Sequence, residues 1–252
     1  MAVPRSWFPS GLDEGDTVTL NKPKTSKWII DKKVNTHSYQ REDRSVDSYA
    51  SVLFTCHNAT DGKEAFMRIY TQVPHAGFEN ADKATRAREA TEFTPPELKA
   101  YKFLSIKHSQ NTPALLAYKM GIQDSSGPVP RGHITWIVWE KVPGKRLGDF
   151  KSAFLYWDMD RDQRKRVREV FLREFPMAKR MGYFPEGAKP RNLVWDENNE
   201  DLYFVGFRDA MPFDAKGNFG EEWFPRFDLA KPPQRHYRMN RDYKGDISDW
   251  KL

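Results

Sequence analysis

Lys189-Pro190-Arg191-Asn192 sets two cations and an amide around a proline, whose fixed φ stiffens the chain. A loop of this kind is suited to holding side chains toward a cleft. Two short apolar runs follow, Leu193-Val194-Trp195 and Leu202-Tyr203-Phe204-Val205, separated by the turn-prone Asp196-Glu197-Asn198-Asn199-Glu200-Asp201. The pattern predicts a hairpin. Other sources of chemistry are scarce. The six histidines, His37, His57, His75, His108, His133 and His236, include no pair at metal-ligand spacing, and there is no Cys-His cluster, so no metal is expected. With neither a Gly-x-Ser-x-Gly elbow nor a dinucleotide-binding glycine fingerprint, hydrolase and nicotinamide chemistry have no support. Cys56 and His57 are neighbours in a predicted strand and point to opposite faces, which rules them out as a nucleophile pair.

The elements that must carry these groups are legible in outline. Residues 51–56 and 64–71 read as two strands joined by the turn Asn58-Ala59-Thr60-Asp61-Gly62-Lys63, with Arg68 in the second. Thr94-Pro95-Pro96 predicts a helix start, and Leu98, Tyr101, Phe103 and Leu104 give that helix a buried stripe. Residues 114–119 and 133–140 read as an antiparallel pair joined by a turn-rich stretch at 123–128. From 161 to 181, Val167, Val170, Phe171, Phe175 and Ala178 define one apolar face of a long helix, with a kink expected at Pro176. Its basic run, Arg164-Lys165-Arg166-Val167-Arg168, reads as an exposed face. Residues 1–48 read as an irregular arm with one or two edge strands, anchored by Trp7, Phe8 and Trp28. The tail beyond 210, with Pro212, Pro225, Pro232 and Pro233 among Trp223, Phe224, Phe227, Tyr237 and Trp250, reads as wrapped and mostly irregular, with one short helix near 219–227.

The length of 252 residues allows one large domain or two small lobes. At 38% hydrophobic, 30% charged and 14% aromatic residues, a soluble globular protein rich in rings is expected. The net charge of +6 is spread among acidic residues along most of the chain, so a mixed solvated surface is expected and no nucleic-acid partner. The single Cys56 permits no intramolecular disulfide and fits a reducing compartment. The N-terminal residues lack an apolar signal core, and no run approaches the roughly 18 apolar residues of a membrane span. A cytoplasmic location with no membrane partner is the expectation.

The segment 182–210 resembles the catalytic loop and metal-loop hairpin of protein-kinase-like folds, especially the fungal aminoglycoside-phosphotransferase-like branch. In that family the loop runs His-x-Asp-x-x-x-x-Asn, and an Asp-Phe-Gly-type aspartate follows one hairpin later. Asn192 falls on the asparagine, Gly187 on the proton-accepting aspartate and Pro185 on the histidine. Gly206, in Val205-Gly206-Phe207, falls on the magnesium-binding aspartate. Upstream the resemblance extends to about residue 49: Arg68 stands at the phosphate-binding lysine, and Glu97 matches the helix glutamate that pairs with it. No glycine occurs between Gly15 and Gly62, so the phosphate-cradling glycine loop is missing too. The run 140–147 resembles the family's hinge.

The resemblance implies an α+β, two-lobed protein-kinase-like fold with a reduced C-terminal helical lobe: an N-terminal arm at 1–48, an N-lobe-like sheet plus helix at 49–143, and a reduced C-lobe with an irregular tail at 144–252. Base, metal ligand, lysine and glycine loop are independent parts, and all four are altered. Phosphoryl transfer rests on charge stabilisation by just those parts, so the resemblance implies a scaffold without it, needing no cofactor. The cleft expected of such a fold is then faced by Arg68, Glu97, Trp136, Trp139, Glu140, Glu186, Lys189, Asn192 and Arg208. One expectation is that it holds a small hydrophobic molecule and promotes a cofactor-free cyclisation or rearrangement of the kind found in fungal secondary metabolism. In that scheme Trp136 and Trp139 are walls, Arg68 or Lys189 polarises a carbonyl and Asn192 orients it. The second expectation is a non-catalytic pseudokinase that binds a protein or regulates one. The third is a residual phosphotransferase with unusual ligands.

Overall fold

The computed structural model describes residues 3–185, 187, 189–213, 219–233 and 247–252. The fold is mixed α+β, with an antiparallel sheet and helices in its N-terminal part. The chain divides into two compact units, Met1–Leu98 with Leu115–Lys141, and Lys99–Ala114 with Val142–Leu252.

The first unit is built on β1 (Thr17–Leu20), β2 (Ser26–Tyr39), β3 (Tyr49–Asn58) and β4 (Glu64–Gln72), followed by the short α1 (Lys83–Ala87) and the start of α2 (Pro96–Ile106). After α2 come β5 (Leu115–Ile122) and β6 (His133–Glu140), and the sheet order is β1-β2-β3-β4-β6-β5. Every neighbouring pair is antiparallel. Alternation decides which side chains meet. Ala50, Val52, Phe54 and Cys56 on β3 share a face with Ala65, Met67 and Ile69 on β4, and this face is the unit's main apolar core. Burial pushes the Cys56 thiol up to about 12.

Two expectations change here. The first 48 residues supply β1 and β2, and β2 is an interior strand of the sheet rather than part of an irregular arm. Register shifts between Ile30 and Lys32 and between Lys33 and Asn35 break its two-residue period, which is why its polar stretch does not read as a strand. The expected continuous segment 49–143 is also interrupted, because residues 99–114 group with the second unit. Tyr101 of α2 packs there on Phe207 at 5.3 Å between ring centroids.

The second unit contains β7 (Lys145–Arg146), α3 (Phe154–Asp158), α4 (Arg161–Arg180), β8 (Tyr183–Phe184), β9 (Leu193–Asp196), β10 (Asp201–Phe204) and β11 (Met211–Pro212). Asp160 caps α4 in a reciprocal box: its carboxylate accepts from the Gln163 N–H at 2.8 Å, and its own N–H donates to Gln163 Oε1 at 3.1 Å. The helix runs through Pro176 to Arg180 and buries Val167, Val170, Phe171, Phe175 and Ala178. β9 and β10 form the expected hairpin, paired from Leu193 with Phe204 to Asp196 with Asp201. Tail rings complete this core. Phe224 and Phe227, on a 3-10 turn at Glu221–Phe227, pack against Phe171.

The basic run of α4 divides between surface and core, with Lys165 and Arg166 exposed. Arg168 is buried and donates to the Tyr156 hydroxyl, Arg164 donates to the Met159 carbonyl, and Arg166 pairs with Glu200. Among the described residues, no helix is long and apolar enough to cross a membrane.

Candidate functional site

In the first unit, the face of β4 opposite the core carries Phe66, Arg68 and Tyr70. Glu97 lies in the first turn of α2, where the helix dipole favours a carboxylate. Arg68 Nη1 donates to both Glu97 oxygens at 2.7 Å, and the Tyr70 hydroxyl donates to Glu97 Oε2 at 2.9 Å. Glu97 is 1% exposed and Arg68 9%, so this is a buried, hydrogen-bonded ion pair. Burial, and then the Glu97 charge, push the Tyr70 hydroxyl well above its ordinary pKa. The Arg68 guanidinium lies 5.2 Å from the centre of the Trp139 ring, which stacks on Phe66 at 6.0 Å.

Trp136 and Glu140 do not join this group. Trp139 lies three positions after Trp136 along β6, and an odd spacing in a strand reverses the face. Trp136 packs with the main apolar core under the Lys119 ammonium, 4.9 Å away, while Glu140 pairs with Lys63 at 3.0 Å. The two tryptophans are therefore not walls of one hollow, and Arg68 is already clamped on a carboxylate. Both points correct the geometry expected of a carbonyl-polarising site.

In the second unit, the proline loop forms a 3-10 turn at Pro190–Asn192, closed by the Asn192 N–H on the Lys189 carbonyl at 2.9 Å. The Lys189 ammonium and Arg191 guanidinium both lie over the Phe150 ring, at 4.9 and 5.1 Å, and Phe150 is 59% exposed. Asn192 is buried and ties the loop to the far end of the hairpin. Its Nδ2 donates to the Val205 carbonyl at 2.9 Å, and its own carbonyl accepts from the Val205 N–H at 2.8 Å. Its Oδ1 is buried with no hydrogen-bond partner among the described residues. Arg208 turns to its neighbour Asp209, with Nε donating at 2.9 Å. Glu186 lies outside the described residues, as do His236 and Tyr237.

Gly206 is more than a missing carboxylate. Its φ is +92°, and a Cβ on it would stand 2.3 Å from Asn192 Nδ2. Side chains other than glycine's rarely adopt that backbone, and the buried amide occupies the space one would need. Gly187, at the expected base position, also has a positive φ, +65°. Both positions hold a left-handed backbone, which glycine adopts freely and an aspartate less readily.

Several chemically distinctive groups escape sequence reading. Lys179 is 3% exposed, and five rings surround its ammonium: Phe213 at 3.2 Å, Phe184 at 4.3 Å, Trp223 at 5.1 Å, Phe175 at 5.8 Å and Phe219 at 5.9 Å. Burial, assisted by Arg226, lowers its pKa to about 8. Its position four residues after Phe175, on the apolar stripe of α4, is the signal that finds it. His133 packs on Phe93 at 4.9 Å, neither ring nitrogen has a partner among the described residues, and burial lowers it to about 4, so it is neutral at pH 7. Among the described residues, no three His, Cys, Asp or Glu side chains cluster as a metal site.

No family model and no curated protein matches the chain. Among solved structures it is similar to the Cydia pomonella granulovirus kinase PK-1, with a TM-score of 0.41 and 11% sequence identity over 70% of this chain and 52% of that one. The chain thus spans about half the length of that kinase chain.

Proposed function

We propose that the chain is a kinase-like scaffold without phosphoryl-transfer chemistry, acting as a non-catalytic binding module. The observation that carries this reading is Gly206: the position expected to hold magnesium has a left-handed backbone packed against the Asn192 amide. The helix glutamate and a strand cation survive as a buried pair, so a structural part of the kinase pattern is kept while its ionic chemistry is not. The binding element we assign is the exposed Phe150 ring with Lys189 and Arg191 over it. An exposed aromatic backed by two cations suits an acidic protein surface, with the ring as anchor and the cations steering approach.

A thermal-shift panel tests the reading. Acidic protein or peptide partners should raise the melting temperature of the wild type, and Phe150→Ala should abolish the shift. A rise with small apolar molecules, unaffected by Phe150→Ala, favours instead the cofactor-free cyclisation of a hydrophobic metabolite. That second reading has less support because Trp136 and Trp139 lie on opposite sheet faces.

A further inference from the structure

The exposed Phe150 ring sits in a fixed setting within the second unit. Residues 149–152 form a tight turn, closed by the Asp149 N–H on the Ser152 carbonyl at 3.0 Å. Two backbone bonds tie this turn to the proline loop: the Leu147 N–H donates to the Leu193 carbonyl at 3.0 Å, and the Arg191 N–H donates to the Asp149 carbonyl at 3.2 Å. Phe150 is thereby held beside Lys189 and Arg191, which flank Pro190. A site already in place loses less freedom when a partner binds.

The charges around the ring are unspent. The Lys189 ammonium and the Arg191 guanidinium lie 4.9 and 5.1 Å from one ring centre, so both stand within one side chain's reach of the same point. Among the described residues neither side chain has an ion pair or a hydrogen bond. The described residues of 147–153 and 187–192 hold three cations, Lys151, Lys189 and Arg191, against one carboxylate, Asp149. That carboxylate faces its own turn: it accepts from the Ser152 N–H at 3.0 Å and the Lys151 N–H at 2.7 Å, bonds that hold it below the usual carboxylate range. Asp228 reaches the far end of the turn, where it accepts from the Ala153 N–H at 2.9 Å. Neither carboxylate pairs with Lys189 or Arg191, and the patch keeps a positive excess.

An anion that uses both cations and the ring must carry more than one charge and an apolar plane. A carboxylate side chain brings one charge and little apolar surface. A phosphorylated aromatic side chain brings nearly two charges, three acceptor oxygens and a ring. Phosphoserine would meet the cations and leave the ring bare. A lipid surface calls for a broad basic field and a nucleic acid for a run of phosphate contacts, whereas this patch concentrates its cations on a single ring.

We infer that the patch is a recognition site for a phosphotyrosine on a partner protein, its aryl ring against Phe150 and its phosphoryl oxygens on Lys189 and Arg191. This assignment rests on the reading of Phe150 as the anchor for an acidic partner, and it names the anionic group.

Fluorescence anisotropy on the full chain tests it with one synthetic peptide, a single central residue flanked by aspartates, prepared with tyrosine, phosphotyrosine or phosphoserine at the centre. The phosphotyrosine form should bind about ten-fold tighter than the tyrosine form, the worth of one charge-assisted contact. Phosphoserine should bind about three-fold more weakly than phosphotyrosine, for want of the ring contact. Lys189→Gln and Arg191→Gln should each cut the preference for phosphotyrosine over tyrosine by about five-fold, and two separate variants keep the test open if one does not fold. Phe150→Ala should remove the preference for phosphotyrosine over phosphoserine. Equal binding of the tyrosine and phosphotyrosine forms overturns the inference and leaves the acidic-partner reading standing; no saturable binding of any form at millimolar concentration overturns both. A phosphotyrosine preference that survives both cation variants also overturns the inference, as does binding to phosphatidylserine vesicles that the phosphotyrosine peptide does not displace.

Discussion

Replacing Gly206 by alanine should destabilise the second unit far more than one methyl on a surface turn. The left-handed backbone, φ +92°, costs a non-glycine residue about 1–2 kcal/mol. The new Cβ would also stand 2.3 Å from Asn192 Nδ2, so the amide must leave the position from which it donates to the Val205 carbonyl. Losing a buried hydrogen bond adds about 1–3 kcal/mol, because the partner is left unsatisfied. The sum is roughly 3 kcal/mol, readable by urea titration with circular dichroism as a lower midpoint at constant slope. A double-mutant cycle isolates the contact. In an Asn192→Ala background the amide is gone, so Gly206→Ala should cost only the backbone strain, leaving a coupling of about 1–2 kcal/mol. A cost below about 0.5 kcal/mol, within the range of ordinary surface changes, would refute the account of this glycine. Equal costs in both backgrounds would refute the steric part alone.

Lys179→Met should raise stability at pH 7. A folded value of about 8 against 10.5 corresponds to roughly 3 kcal/mol of lost stability at neutral pH, partly offset by the five rings around the ammonium. The folded state binds fewer protons than the unfolded one between those two values, so wild-type stability should rise from pH 8 to 10.5. Chemical denaturation across that window should show the rise in the wild type and not in the variant; an unchanged slope contradicts it. For the buried pair, Arg68→Met or Glu97→Leu alone should each cost about 3–5 kcal/mol by leaving one charge uncompensated, and the double variant should recover most of that loss. Denaturant midpoints that add independently would show that Arg68 and Glu97 are not coupled.

How far the sequence could be read depended on whether local pattern or long-range packing made the decision. The hairpin at β9 and β10, the start of α2 at Pro96 and the long α4 are written in turn residues, caps and a 3.6-residue stripe, and their extents were legible. The pairing of Arg68 with Glu97 was legible through the kinase-like order of motifs. The placement of Trp136 with Trp139 was not, because β6 reads His-Ile-Thr-Trp-Ile-Val-Trp-Glu and is buried on both faces. In such a strand hydrophobicity does not reveal which face is which, and counting parity is the only guide. β2 was obscured by its bulges, and Lys179 by its charge, which hid its place on an apolar stripe. Gly206 read as an empty slot, whereas its φ and the Asn192 amide against it are properties of the folded hairpin.

If Gly206 and Gly187 leave no magnesium-nucleotide site, calorimetric titration of ATP into the full chain, with and without magnesium, is the decisive measurement. No saturable heat is expected in either condition, and no phosphate release. Magnesium-dependent binding at micromolar ATP, with turnover, would contradict it.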